Sequence, residues 1–314
     1  MPPIRFDLLQ TRAQVSSLWG VAIDDLETID NTPDLTGRYR EMRIPKRGRV
    51  NQGRYRTVFK VEWGVLHQLQ KNIARDIGDT VTFPDCVQGF VRGRSIVSNA
   101  RVHVGQVVIF HADIENFFDA IGAERVAGAF VSLGCEPSIA ELLSKVCTLM
   151  GRLPQGASTS PILANLVSAA LDLDLTRLAA TQHLRYSRYG DDLTFSGEQA
   201  PTPDAIRRLL SAHGFALRED KVRTQRRGKC QYVTGLSIID PAGPRIPRKT
   251  KRQLRLELYY AKKYGIAGHQ ERTGNHWYEE RLWQYWRGWI DYIGSVPAER
   301  PLAKRLAAQL HALK

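Results

Sequence analysis

Apolar positions recur along this chain in two rhythms, and the points where one rhythm gives way to the other divide it into elements. Over residues 7–30 the spacing is helical and broken near Gly20, with Asp24 and Asp25 placed to open a second helix at Asp25-Leu26-Glu27. Residues 38–61 alternate instead. Tyr39-Arg40-Glu41-Met42-Arg43-Ile44-Pro45, a Gly- and basic-rich turn, and Arg54-Tyr55-Arg56-Thr57-Val58-Phe59-Lys60-Val61 predict a β-hairpin with Arg and Lys on one face. Trp63, Val65, Leu66, Leu69 and Ile73 return to helical spacing over 62–78, with Gly78 as the stop. Val107-Val108-Ile109-Phe110-His111-Ala112-Asp113 is an apolar run ending in a carboxylate, the pattern of a buried strand. Helices are predicted at 124–134 and 137–150, stopped by Gly134 and Gly151. After a loop of small residues, Ser160-Pro161 opens a helix running to about Leu178. Asp172 and Asp174 fall on it as members of a solvated face.

The alternation is clearest in Tyr186-Ser187-Arg188-Tyr189-Gly190-Asp191-Asp192-Leu193-Thr194-Phe195-Ser196. This predicts a hairpin whose turn uses Gly190 at positive φ and carries two adjacent carboxylates at its tip. Like charges held together repel, so the turn is either solvated or holds a cation. Asp113 is either a helix cap or a third carboxylate brought by a neighbouring strand, which would make an oxygen-rich divalent metal site. Beyond the hairpin, a helix runs from Pro203 to His213, closed by Gly214. A strand follows over Gln231–Ile238, and from Thr250 the pattern is helical in three segments separated near Gly265–Gly274 and at Pro297.

Composition narrows the picture. A chain of 314 residues can build one large domain or two to three subdomains. No segment approaches the ~18 apolar residues needed to cross a membrane. The start, Met1-Pro2-Pro3-Ile4-Arg5-Phe6, lacks a secretion pattern, and Cys86, Cys135, Cys147 and Cys230 are scattered, reading as buried thiols in a reducing compartment. A cytoplasmic protein without membrane attachment is expected. The net charge of +13 lies wholly in residues 221–314, which hold 20 basic and 7 acidic residues. Aromatics interleave with these cations, among them Tyr259, Tyr260, Tyr264, Trp277, Tyr278, Trp283, Trp286, Trp289 and Tyr292. Some must be helix core, but a basic, aromatic segment suits a polyanion such as nucleic acid.

Four of these stretches, in order, resemble a reverse transcriptase. Ala112-Asp113-Ile114-Glu115-Asn116-Phe117-Phe118 matches the first catalytic-Asp motif. Leu153-Pro154-Gln155-Gly156 with Thr159-Ser160-Pro161 and Asn165 matches the nucleotide and template loop. Tyr189-Gly190-Asp191-Asp192 matches the metal-binding hairpin, and Lys221 stands where the family has a basic residue after a short strand. Asn99-Ala100-x-x-His103 and Val233-Thr234-Gly235 resemble two short motifs of the bacterial retron enzymes, and Arg287-Gly288-Trp289-Ile290-Asp291-Tyr292 resembles the family's thumb. Gly190 replaces the usual Ala of retron enzymes, and Val222 replaces the Thr common after the Lys.

The resemblance implies an α+β fold with right-hand polymerase architecture: fingers, a palm with an antiparallel sheet, and a helical thumb. It assigns 1–37 to an N-terminal helical extension, 38–105 and 124–183 to fingers, 106–123 and 184–245 to palm, and 246–314 to thumb. It implies that Asp113, Asp191 and Asp192, with the Ile114 carbonyl nearby, bind two Mg²⁺ ions, with Mn²⁺ as a substitute. Arg56 would clamp the incoming deoxynucleoside triphosphate, with Arg54, Lys60, Arg92 and Arg94 as competitors. Phe118 stands where the family has its steric gate, whereas Phe117 reads as core. Gln155 and Gly156 would meet the nucleotide and template, and Lys221 would serve the leaving pyrophosphate or be a plain surface lysine. A cognate non-coding RNA and its RNA–DNA hybrid product (msDNA) would contact Asn99, His103, Val233, Thr234, Gly235, Arg248, Lys249, Lys251, Arg252 and Arg255. His103 also reads as a helix-end side chain bonded to backbone. In retrons the RNA is template and primer, synthesis starts at an internal 2′-OH, and a separate effector or toxin acts in anti-phage defence.

Rival readings are a reverse transcriptase of group II intron or abortive-infection type, an RNA-dependent RNA polymerase with its own Gly-Asp-Asp, and a non-catalytic RNA-binding scaffold. Phe118 at the gate favours DNA synthesis, and the presence of all three carboxylates argues against a relic.

Overall fold

The computed structural model describes residues 6–45, 53, 55–273 and 279–313. Helix α1 (Arg12–Trp19) starts at a capping box between Thr11 and Gln14 and stops where Gly20 turns left-handed at φ 62°. Helix α2 (Ile23–Asn31) opens two residues ahead of the expected Asp25. Strands β1 (Tyr39–Pro45) and β2 (Tyr55–Val61) form the expected antiparallel hairpin, with Tyr39 opposite Val61 and Ile44 opposite Arg56. Arg54 lies outside the described residues.

Helix α3 (Gly64–Thr80) runs through Gly78 rather than stopping there. Then come α4 (Ile96–Val102), β3 (Val108–Asp113), α5 (Ala123–Ser132), α6 (Pro137–Cys147), α7 (Ser160–Val167) and α8 (Ala169–Thr181). A Cβ on Gly78 would come within 3.3 Å of Ile162 Cδ1, so this glycine serves close packing of α3 on α7. The expected single helix from Ser160 to Leu178 is broken at buried Ser168, which neither Gly nor Pro announces.

Strands β4 (Arg185–Tyr189) and β5 (Asp192–Gly197) form the acidic hairpin, followed by α9 (Pro203–Ala212) and β6 (Arg223–Arg226). The four-stranded sheet has the order β4-β5-β3-β6, so β3 lies directly beside the hairpin. All six residues of β3 are buried, which is why its sequence reads as a continuous apolar run. The expected strand over Gln231–Ile238 is instead a tight hairpin of β7 (Tyr232–Val233) and β8 (Leu236–Ser237). Its two turn residues, Thr234 (φ 46°) and Gly235 (φ 81°), both take the positive φ that a type I′ turn requires. Helix α10 (Arg248–Thr273) is interrupted at Gly265 (φ 73°), and α11 (Glu279–Ser295) and α12 (Arg300–His311) complete the three expected segments. Gly274, Trp277 and Tyr278 lie outside the described residues.

The chain folds as two compact units. The first comprises Met1–Arg94, His111–Phe195 and Pro201–Arg223, with a core that includes Leu66, Leu69, Ile73, Leu143 and Leu163. The second comprises Ser95–Phe110, Ser196–Ala200 and Thr224–Lys314. Its core joins Val233, Leu236, Leu254, Leu258, Trp286, Ile290 and Leu306 with Ala100 and Ile109. Trp286 therefore belongs to the helix core, with its indole N–H bonded to Glu257 at 2.9 Å. Cys135 and Cys147 are the buried thiols expected, whereas Cys86 is half-buried and Cys230 is exposed. Among the described residues no helix is long and apolar enough to cross a membrane.

Candidate active site

The first unit gathers the three carboxylates. Gly190 turns the chain at φ 66° between β4 and β5 and leaves Asp191 and Asp192 exposed at the tip. Because β3 neighbours β5, the chain leaving Asp113 meets that tip: the Ile114 N–H donates to the Asp191 carbonyl oxygen at 3.0 Å. Asp113 is itself only 5% exposed. Arg218 Nη1 donates to its Oδ1 at 3.2 Å, and the Arg218 backbone N–H bonds the Asp113 carbonyl oxygen at 2.8 Å.

Burial pushes the Asp113 carboxyl up to about 6, and the charges of Asp191 and Asp192 add to the push; Arg218 and Lys221 pull the other way. The Asp192 carboxyl is also raised to about 6, by lost hydration first and Asp191 second, against Lys221 and Arg223. Asp192 keeps exposed surface, where water softens such repulsion, so Asp113 is the better gauge of the field. Carboxylates that raise one another's proton affinity form a set of hard oxygens that favours added positive charge. Among the described residues they do not close into a ready-made cage of three donor side chains. The donor chemistry fits a divalent cation.

A second layer lies beneath the hairpin. Arg188 is completely enclosed and forms a two-pronged pair with Asp172, Nε to Oδ1 at 2.8 Å and Nη2 to Oδ2 at 2.6 Å. Asp172 is therefore no solvated-face residue. Its helix turns it inward, where Arg188 and the Tyr186 hydroxyl (2.9 Å) satisfy it. Removing one partner of such a pair costs about 3–5 kcal/mol. Asp174 is half-buried and bonded to His213 and Arg177.

The expected nucleotide-binding residues occupy several places in this unit. Gln155 is half-buried, and its carbonyl accepts the Phe59 N–H at 2.7 Å, docking the loop on β2. Gly156, at φ 108°, lies so close that a Cβ would meet Val58 Cγ1 at 2.5 Å. Arg56 and Lys60 are exposed on β2, and Arg92 is exposed beside Asp79. Arg94 is no candidate for a triphosphate, because its guanidinium holds the carbonyls of Phe83, Pro84 and Val87. Phe118 is half-buried, its ring 5.7 Å from that of Phe117 and 6.4 Å from that of Phe90, while Phe117 is core as expected. Lys221 is exposed on a 3₁₀ turn, Glu219–Lys221, near enough to act on Asp113 and Asp192.

The expected RNA-binding set lies in the second unit and divides in two. Asn99, His103 and Val233 are buried, so direct RNA contact by these side chains gives way to a packing role. Asn99 Nδ2 reaches Thr234 Oγ1 at 3.5 Å, Thr234 Oγ1 donates to the Ile96 carbonyl at 3.0 Å, and His103 Nδ1 bonds Ser196 Oγ at 2.7 Å. Thus His103 bonds a side chain on β5, and the two short motifs bond each other through Asn99 and Thr234. Gly235 stays exposed at the turn, and Arg248, Lys249, Arg252 and Arg255 are exposed on α10. Lys251 is tied to Glu299 at 2.6 Å. A cleft of about 630 Å³ beside α10 presents Arg255, Tyr259, Lys262, Lys263 and Arg305.

Sequence reasoning missed Arg218, Arg223 and Arg188. Nothing local marks them, since each acquires its partner from a distant segment. For Arg218 the one available signal is the buried alternation Phe215–Leu217, which carries the chain alongside Ile114 and on to Asp113.

The family model for reverse transcriptase (RNA-dependent DNA polymerase) matches residues 44–256. The retron Ec86 reverse transcriptase of Escherichia coli is 30% identical over 89% of this chain and 82% of its own length. The retron Mx162 reverse transcriptase of Myxococcus xanthus is 32% identical over 73% of this chain, which spans 54% of that relative. A solved telomerase from Candida albicans, with a fragment of telomeric RNA, matches 88% of this chain and 63% of that chain at 10% identity and a TM-score of 0.44, a likeness too loose to bear on function. The chain belongs to the reverse transcriptase family and, within it, to the retron type: it is an RNA-directed DNA polymerase.

Proposed function

We propose that this protein binds a cognate structured non-coding RNA and copies part of it into a branched RNA–DNA hybrid, msDNA, primed from an internal 2′-OH. The observation that carries the polymerase half is the placement of Asp113 beside the Asp191-Asp192 hairpin, with its carboxyl raised to about 6. The retron half is supported by the relatives and by the Asn99-to-His103 and Val233-Thr234-Gly235 motifs. The same likeness suggests a role in anti-phage defence alongside a separate effector or toxin protein.

In this reading Asp113, Asp191 and Asp192, with the Ile114 carbonyl nearby, hold Mg²⁺, two ions in the family's manner. When bound, such ions lower the pKa of the attacking hydroxyl and offset charge on the phosphates. The chain's own groups do the rest by orientation. Arg56 and Lys60 offer exposed cations to the triphosphate, Gln155 and Gly156 bound the nucleotide and template, and Phe118 excludes a ribose 2′-OH. Lys221 offsets charge on the leaving pyrophosphate. Arg248, Lys249, Arg252 and Arg255 grip the nucleic-acid backbone, which makes affinity fall steeply with salt. Lys251, already paired, contributes less.

Two measurements test this. Purified protein should incorporate deoxynucleotides on an RNA template with Mg²⁺, and D191N or D192N should abolish incorporation while leaving RNA binding; retained synthesis overturns the site. Nucleic acid co-purifying with the protein should be a branched hybrid that resists conversion to linear species until debranched. Linear RNA alone, or none, overturns the retron reading.

A further inference from the structure

Beneath the acidic turn lies a buried polar network that none of the roles above uses. Besides its two bonds to Asp172, Arg188 donates from Nη1 to Asn165 Oδ1 at 2.9 Å and to the carbonyl oxygen of Gly190 at 3.2 Å. Asn165 is anchored in turn, its Nδ2 donating to the Gly89 carbonyl at 2.9 Å. Gly89 approaches the turn so closely that a Cβ there would stand 2.6 Å from the Gly190 nitrogen. The Gly190 carbonyl belongs to the peptide that joins it to Asp191, and Gly190 is where the hairpin pivots.

Net stability is a weak reason for such an arrangement, because desolvating two charges costs about as much as their attraction returns. Its geometry is the stronger reason. A planar guanidinium gripped on one edge by a carboxylate and on the other by an anchored amide cannot rotate, so a carbonyl bound to it is fixed as well. A lysine offers donors from a single point and cannot serve both Asp172 oxygens, Asn165 and Gly190 at once.

We propose that Arg188 is a positioning residue for polymerisation: clamped by Asp172 and Asn165, it fixes the Gly190–Asp191 peptide and hence the direction in which Asp191 and Asp192 present their oxygens to the cation. This rests on the reading that those carboxylates hold the metal, and the experiment separates the two. Mn²⁺ binding is followed by electron paramagnetic resonance without substrate, beside steady-state kinetics on an RNA template. The variant R188M/D172L/Y186F replaces the buried charges with apolar groups of similar size, an exchange that often leaves stability unchanged or raised. Its thermal midpoint is expected near or modestly below the native one, because Asn165 Oδ1 and the Gly190 carbonyl lose a donor, with Mn²⁺ affinity lowered several-fold. Its kcat should fall about tenfold or more, as loss of orientation predicts, with KM for the nucleotide little changed. R188K, which keeps the charge, should fall between this variant and the native protein. Unaltered Mn²⁺ affinity in D192N sinks the reading of the carboxylates themselves. Lost affinity in D192N together with native affinity and kcat in the folded apolar variant, or in folded R188K where that variant does not fold, overturns the positioning role alone.

Discussion

Arg218 holds Asp113 twice: its guanidinium donates to the carboxylate at 3.2 Å, and its backbone N–H to the carbonyl oxygen at 2.8 Å. The backbone bond survives any substitution except proline, so the side chain's electrostatic share can be removed alone. Its charge draws the Asp113 carboxyl down against burial and the neighbouring acids. In R218A that carboxyl should rise further above about 6, and the acid limb of the pH–rate profile should shift to higher pH. The pair is partly exposed, 29% on the Arg218 side, so stability should change by less than about 1 kcal/mol. A pH profile of deoxynucleotide incorporation for R218A and R218K checks this, with R218K expected to stay near native.

Asp113 itself gives a stability test in metal-free protein. Its folded pKa, about 6, lies above the ordinary 3.8, so the folded state binds this proton more tightly than the unfolded chain. Charging the group therefore costs stability; the cost is absent below about pH 4, grows as pH rises, and is in full force above about pH 6. D113N removes the charge and keeps an oxygen for Arg218. It should be more stable than native at pH 7.5 by about 1–3 kcal/mol, with the difference vanishing near pH 4. Divalent cation should raise the native midpoint at pH 7.5 and leave that of D113N nearly unmoved. Denaturant titrations at the two pH values measure both effects.

The two glycines of the site differ in what they tolerate. Gly190 sits at φ 66°, within the left-handed region, and an added Cβ would meet only the far edge of the Phe90 ring at 3.3 Å. G190A, the residue usual in retron enzymes, should cost about 1 kcal/mol. Gly156 sits at φ 108°, and its Cβ would strike Val58 Cγ1 at 2.5 Å and the Phe59 carbonyl oxygen at 2.8 Å. G156A should cost about 3 kcal/mol. It should also raise KM for the nucleotide, because the Gln155 loop can no longer dock on β2.

Much of this was legible in the chain because its signals are local. The Gly190 turn and the apolar run into Asp113 need only neighbours in sequence, and they predict the hairpin and the strand that the sheet brings together. Asp172 was misread because a carboxylate on a helix looks the same whether it faces water or Arg188; only the fold supplies the partner. Ser168 breaks a helix with neither Gly nor Pro to announce it, and Thr234-Gly235 folds a strand back without the Asn-Gly or Asp-Gly pair that marks a two-residue turn. Asn99 and His103 carry polar side chains whose partners, Thr234 and Ser196, lie far along the chain, so burial could not be inferred from spacing.

Phe118 offers the sharpest test of substrate choice. The ring is half-buried, lodged between Phe117 and Phe90, so it is braced on two sides and cannot swing freely from a clashing hydroxyl. If it is the gate, F118A should admit ribonucleotides, and discrimination between the two sugars should drop by about 1.4–2.7 kcal/mol, or tenfold to a hundredfold. Truncating a partly buried aromatic also leaves a void, with a stability loss somewhat below the ~3–5 kcal/mol of a fully buried ring. A general loss of folded protein lowers incorporation of both nucleotides equally, whereas an opened gate changes their ratio. The quantity to measure is therefore the ratio of kcat/KM for a deoxynucleotide to that for its ribonucleotide, at a temperature where F118A is fully folded. An unchanged ratio would return Phe118 to the core alongside Phe117.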